Sequence, residues 1–191
     1  MDLQQYITDA TRTESKIPTV SIDPVLLTQV LEVQAATGRL LDQLKKNIYY
    51  TKPIKTGMWN DDVNLLVNVG GKIQSGAYLP LTSPKTIDID PRVFHAIVGI
   101  ATESAELIEA VLESLSSGTP IDRVNVLEEL GDINWYQAIL IDALAGNWDK
   151  ILTTNIEKLR ARYPEKFTAA AAIDRDIDAE RVILEQGGAG V

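Results

Sequence analysis

Two acidic pairs, Glu103-Ser-Ala-Glu106 and Glu129-Leu-Gly-Asp132, stand on neighbouring stretches of this chain. Positions three apart share one face of a helix, so each stretch, if helical, aims two carboxylates the same way. Helices lying side by side would bring four carboxylates to one place, where they repel unless a cation sits among them. Oxygen-only ligation suits a hard divalent ion such as Mg²⁺, which combines protein carboxylates with substrate phosphates. A metal-dependent phosphate chemistry is the leading expectation.

The residues around the acids sharpen it. On the stretch opened by Asp90-Pro91, a turn of about 100° per residue lines up Phe94, Ile97, Ala101, Ala105, Ile108, Leu112 and Leu115 as an apolar stripe. Glu103 and Glu106 lie at its edge and Glu109 on the outer face. Gly99 and Ala110, one turn to either side, would leave room for a ligand. The next stretch carries a polar line of Asn125, Glu129, Asp132 and Tyr136, with apolar residues in nearly every other direction. Such a helix is expected to be buried, partly at a subunit contact, and its acids would be costly to keep without a partner ion. Either acidic pair alone would read as an ordinary solvated face.

A third stretch offers Asn155, Lys158 and Arg162 on one face, with Ile151, Leu152 and Leu159 around the amide. A polyphosphate carries more charge than one metal neutralises, so a nearby cationic pair suits it. The plainer alternative is that both cations complement a helix C-terminus. His95, two turns before Glu103, could touch a base or sugar or serve as a structural histidine. Trp135 and Trp148 are expected in the core.

The bulk composition narrows the class. The chain has 191 residues, 45% apolar and 24% charged, which suits a globular domain. A net charge of −9 without a basic stripe argues against a nucleic-acid surface. Cysteine is absent, so disulfides, thiolate metal sites and cysteine nucleophiles are excluded, and one histidine rules out multi-histidine metal sites. The polar N-terminus lacks the apolar core of a signal peptide, and no apolar run approaches a membrane span. A cytoplasmic protein without membrane association is the expectation.

The pattern predicts an all-α fold. Residues 1–20 read as an arm or a short helix. Asp23-Pro24 and Asp90-Pro91 are helix openings, an Asp cap followed by Pro at the first helical position. They predict helices to about Ile48 and about Leu115. Further helices are expected from about Ile121 to Gly146, from about Trp148 to Arg162 and from Asp176 to Glu185. Between Thr51 and Ile89 only a short helix near Asp62–Ile73 is legible. Short connections favour an antiparallel, four-helix-bundle-like core. Residues 1–90 are expected to form a helical extension with an irregular segment, 91–186 the core, and 187–191 a disordered tail.

At this level of detail the chain resembles a known family. Gly99-Ile-Ala-Thr-Glu103-Ser-Ala-Glu106-Leu followed by Asn125-Val-Leu-Glu128-Glu129-Leu-Gly-Asp132-Ile-Asn-Trp-Tyr136 is similar to the MazG-like nucleoside triphosphate pyrophosphohydrolases. The run Asn155-Ile-Glu-Lys158-Leu-Arg-Ala-Arg162-Tyr163-Pro-Glu-Lys-Phe167 resembles that family's closing motif. Asp174-Arg175-Asp176 and Glu180-Arg181-Val-Ile-Leu-Glu185 resemble a tail of its bacterial and phage branch. Ser104 stands where most relatives carry Ala or another small residue, and Asp174 where Asn is expected.

The resemblance covers about residues 92 to 185. It implies a four-helix core that forms homodimers or homotetramers. It also implies Mg²⁺ dependence, with Mn²⁺ as a substitute, and hydrolysis of a (deoxy)nucleoside triphosphate to monophosphate and pyrophosphate. By position it implies Glu103, Glu106, Glu129 and Asp132 as metal ligands and Asn155, Lys158 and Arg162 as phosphate contacts. Asn125, Tyr136 and His95 are further candidates for substrate binding, and Glu106 and Glu128 are both candidates for the general base. The alternatives are a related dUTP or phosphoribosyl-ATP pyrophosphohydrolase and a non-catalytic, metal-binding helical oligomer. A di-iron bundle is disfavoured because no Glu-x-x-His pair exists.

Overall fold

A computed structural model describes residues 2–75 and 84–187. Pro80 and residues 188–191 of the expected tail lie outside the described residues. Among the described residues there are eight helices: α1 (Leu3–Thr11), α2 (Pro24–Tyr50), α3 (Thr56–Gln74), α4 (Pro91–Ser117), α5 (Arg123–Ala143), α6 (Trp148–Arg162), α7 (Ala169–Ile173) and α8 (Ile177–Gln186). Two three-residue strands, β1 (Val20–Ile22) and β2 (Lys85–Ile87), pair antiparallel with Val20 opposite Ile87. The chain is thus mostly helical, and no helix of the described residues is long and apolar enough to cross a membrane.

Local chemistry starts and stops the helices that carry the acids. The Asp90 carboxylate accepts from the backbone N–H groups of Arg92 and Val93 at 2.8 and 3.1 Å, and Pro91 fills the first turn. Gly118, at φ 70°, closes α4 in the left-handed region open to glycine. Asp122 caps α5 in the same way through Val124 and Asn125. That helix ends at Ala143, short of Gly146, because Ala145 turns to φ 52° and the Gly146 N–H closes on the Ile141 carbonyl at 2.8 Å.

The chain forms two compact units, residues 1–18 with 89–191 and residues 19–88. Residues 1–18, read from the sequence as part of an extension, group with residues 89–191. In the first unit α4 packs on α5, α1 on α5 and α6, and α8 on α6. Ile7, Ala10, Ala138, Ile141 and Trp148 are buried together, with Leu3, Tyr6, Trp135 and Ile151 packed around them. The Trp135 indole N–H lies 3.1 Å from the Ala10 carbonyl and 2.9 Å from the Thr13 hydroxyl, fastening α1 to α5.

The second unit is a helical hairpin, α2 against α3, whose two ends meet in the β1–β2 ribbon. Helix α3 begins at Thr56, well before the expected Asp62. Asn60-Asp61-Asp62 resembles a helix opening, yet Asp62 is a buried interior position whose carboxylate takes two hydrogen bonds from Arg39 of α2, at 3.0 and 2.6 Å. A partner distant in sequence overrides the local signal.

Candidate metal centre

Helices α4 and α5 pack so that their acidic edges meet. One carboxylate oxygen from each of Glu103, Glu106 and Glu129 lies within 4.8 Å of the others. Glu129 is buried at 5% exposure, Glu103 is half-buried and Glu106 is exposed. Asn125, one turn earlier on α5, donates its amide N–H to Glu129 at 2.8 Å. Asp132 is exposed, and its charge reaches Glu103, Glu106, Tyr136 and Tyr6.

The electrostatics are those of crowded anions. Burial and the neighbouring Glu106 push the Glu103 carboxyl above its ordinary range, with Asp132 and Glu129 adding to the effect. The Glu129 charge pushes Glu106 up most, followed by burial. Among the described residues, no cationic side chain is one of the charges acting on Glu103 or Glu106. Like charges so placed are relieved by a proton or by a bound cation. The donors are all carboxylate oxygens on two rigid helices, and this fits a hard divalent ion. Glu103, Glu106 and Glu129 would hold it, with Asp132 at the open side.

An aromatic wall stands beside the acids. The Tyr136 ring meets His95 edge-on at 5.4 Å and Trp135 at 4.7 Å between centroids. Burial, then the charges of Glu103 and Asp132, raise the Tyr136 hydroxyl above its ordinary pKa. Gly99 admits this ring: a methyl group at Gly99 would overlap three of its carbons. The room expected above Gly99 for a ligand is therefore filled by Tyr136. His95 is half-buried in contact with Trp135 and Tyr136, while Trp148 is core, as expected.

Tyr6 is a residue that sequence reasoning missed. Its hydroxyl donates to the Gly131 carbonyl at 3.4 Å, and its ring meets Trp148 edge-on. Burial and the nearby Asp132 raise its pKa. The available signal was Asp2 as a cap, with Ile7 and Ala10 at helical spacing on the buried side.

Several expected contributors stand elsewhere. Arg162 does not offer its fork to a ligand: Nε and one terminal nitrogen are bound to the Glu180 carboxylate at 2.8 and 2.5 Å. Arg175 binds the same carboxylate, which is held down to a pKa of about 2 by Arg175 and Arg162. Asn155 is exposed and Lys158 half-buried on α6, and neither is among the groups acting on Glu103 or Glu106. Glu128 is exposed, about 100° around α5 from Glu129, and outside the glutamate cluster. Within one chain the expected burial of α5 is met only in part. Val124 is 76% exposed and Leu127 67%, and on α4 Leu112 and Leu115 are likewise exposed. Burial within this chain is confined to Glu129 and the later turns of α5 around Ala138, Ile139 and Ile141.

Comparison with protein-family models, with curated proteins and with solved structures finds no match.

Proposed function

We propose that this chain is a Mg²⁺-dependent nucleoside triphosphate pyrophosphohydrolase of the MazG-like kind, cleaving between the α- and β-phosphates to give monophosphate and pyrophosphate. The observation that carries this reading is the meeting of Glu103, Glu106 and Glu129 within 4.8 Å on two packed helices. The motif series that resembles the family supplies the reaction class.

In this reading a bound divalent ion supplies Lewis acidity and a template for the triphosphate. Glu103, Glu106 and Glu129 hold it, and Asn125 orients the Glu129 carboxylate through its 2.8 Å hydrogen bond. Glu106, exposed, raised in pKa and part of the cluster that excludes Glu128, is favoured over Glu128 as the proton acceptor. Tyr136 and His95 wall the site on the side of α4's first turns. Lys158 and Asn155 are proposed phosphate contacts contributed when chains associate. Homodimers or homotetramers are expected to cover the exposed apolar residues of α4 and α5. The four-helix bundle is then completed between copies.

A second reading, a metal-binding helical oligomer without catalysis, is favoured by one observation: Arg162 is already paired with Glu180. Incubation of the purified protein with individual nucleoside triphosphates, dUTP and phosphoribosyl-ATP plus Mg²⁺ decides between them. Monophosphate and pyrophosphate are expected. Mg²⁺-dependent thermal stabilisation without turnover of any nucleotide supports the oligomer, and diphosphate with orthophosphate refutes the proposed bond.

A further inference from the structure

Helix α2 presents two seams along its 27 residues. One includes Leu26, Val33, Ala36 and Leu40, at alternating steps of three and four. It is buried or half-buried, with Ala36 at 0% exposure, on a helix that packs against α3. One residue further round runs a second series at the same steps: Leu27, Val30, Gln34, Thr37, Leu41 and Leu44. Val30 is 50% exposed, and Gln34, Thr37, Leu41 and Leu44 are also exposed.

Steps of three and four repeated over several turns make the seam of a coiled coil, whose knobs fit the holes of another helix. The occupant can be specified further. Read from either end, the second seam has the same polarity: two apolar positions, two polar, two apolar. We infer that it is a homotypic interface in which α2 of one copy packs antiparallel on α2 of a second copy about a two-fold axis. It does not rest on the acidic site.

The axis would pass between Ala35 and Ala36. Leu27 then meets the partner's Leu44, Val30 meets the partner's Leu41, and Gln34 meets the partner's Thr37. Polar groups face polar groups at the centre, which fixes register at some cost in stability. A two-fold axis makes each contact occur twice, as an isologous interface requires. Leu31, 43% exposed beside the seam, faces the partner's Gly38, where the side-chain position opens on empty space. The charged Glu32, Arg39 and Lys46 lie on the far side from the seam, so no like charges are forced together. A helix of 27 residues is ~40 Å long, and antiparallel overlap along most of it approaches the ~800 Å² per partner typical of stable interfaces.

The chain contains no cysteine, so introduced thiols report this contact alone, whatever association occurs elsewhere. Full-length Gln34→Cys and Thr37→Cys proteins are mixed under mild oxidation, with Glu32→Cys as the control on the opposite face. The mixture should yield a disulfide-linked dimer at least tenfold faster than the control and faster than either protein alone. Adding Leu41→Glu and Leu44→Glu, both at exposed positions, should abolish the cross-link while helicity by circular dichroism is kept. Cross-linking no faster than the control overturns the interface. Equal or faster linking within each single variant overturns the antiparallel register.

Discussion

Glu14 and Arg92 lie 78 residues apart in sequence and meet in a two-point ion pair, Nε to Oε1 at 2.6 Å and a terminal nitrogen to Oε2 at 2.8 Å. The same guanidinium reaches Asp142 of α5 at 2.7 Å. The Glu14 side chain is fully covered, and its hydrogen bonds, with those of Asp142, raise the Arg92 pKa further. This fork is one reason that residues 1–18 belong to the unit that carries the acids.

Glu14→Gln should therefore loosen the segment that follows α1 from Arg92 of α4. Removing one partner of a covered charge pair costs more than the pair contributes, because the other charge is left under-satisfied. A loss of ~2–3 kcal/mol in urea unfolding is expected, with faster proteolysis between residues 12 and 18. An unchanged urea midpoint would mean that the pair is dispensable.

Glu103→Gln should raise stability without metal and remove the response to it. Carboxyls held above their ordinary pKa, as in Glu103 and Glu106, make the folded state bind more protons than the unfolded one. Their contribution is most favourable below the ordinary carboxylate range, and it is lost as pH rises through the raised values. In wild type, Mg²⁺ should raise Tm by several degrees at pH 7 and far less at pH 4. The Gln variant should have a higher Tm in EDTA and no Mg²⁺ shift, read by scanning calorimetry. Turnover of nucleotide near the wild-type level in Glu103→Gln or Asp132→Asn would refute the proposed site.

Glu180→Gln tests whether the carboxylate fastens α8 to α6. The carboxyl is depressed from 4.5 to about 2, so its contribution is complete above pH 4.5 and disappears as pH falls through about 2. The variant should lose ~3 kcal/mol at neutral pH, since two arginines lose their shared partner. The difference from wild type should shrink below pH 3. A difference that stays constant from pH 7 to pH 2 would assign the effect to packing.

Gly99→Ala places a methyl group inside the Tyr136 ring, which must swing away from His95 and Trp135. A destabilisation of ~1–3 kcal/mol is expected from such overpacking. Combining it with Tyr136→Ala should recover most of that loss in a double-mutant cycle. Additive losses would show that the clash is relieved by backbone movement instead.

How far the sequence alone carries can be seen residue by residue. Asp23 and Asp90 announce the helices they cap, because capping is settled within three residues of chain. The step of three placed Glu103 with Glu106 on one edge and Glu129 with Asp132 on another. Asp62 misled, because its burial depends on Arg39. Arg162 misled also, because its partner Glu180 arrives with a helix that sequence reading treated as a tail. The apolar residues of α5 were expected to be buried, partly at a subunit contact, and a single chain leaves Val124 and Leu127 exposed, because a period reports which residues share a face but not what covers it.

By itself, then, the order of residues determined the helical class, the main helix starts and the pairing of acids along each helix. These depend on interactions between near neighbours in the chain. Only tertiary structure decided that α1 joins the acid-bearing unit, that Tyr136 fills the space over Gly99, and that Arg162 is held by Glu180. Each is a contact across long chain separations, set by packing and charge compensation in space, and no local period encodes it.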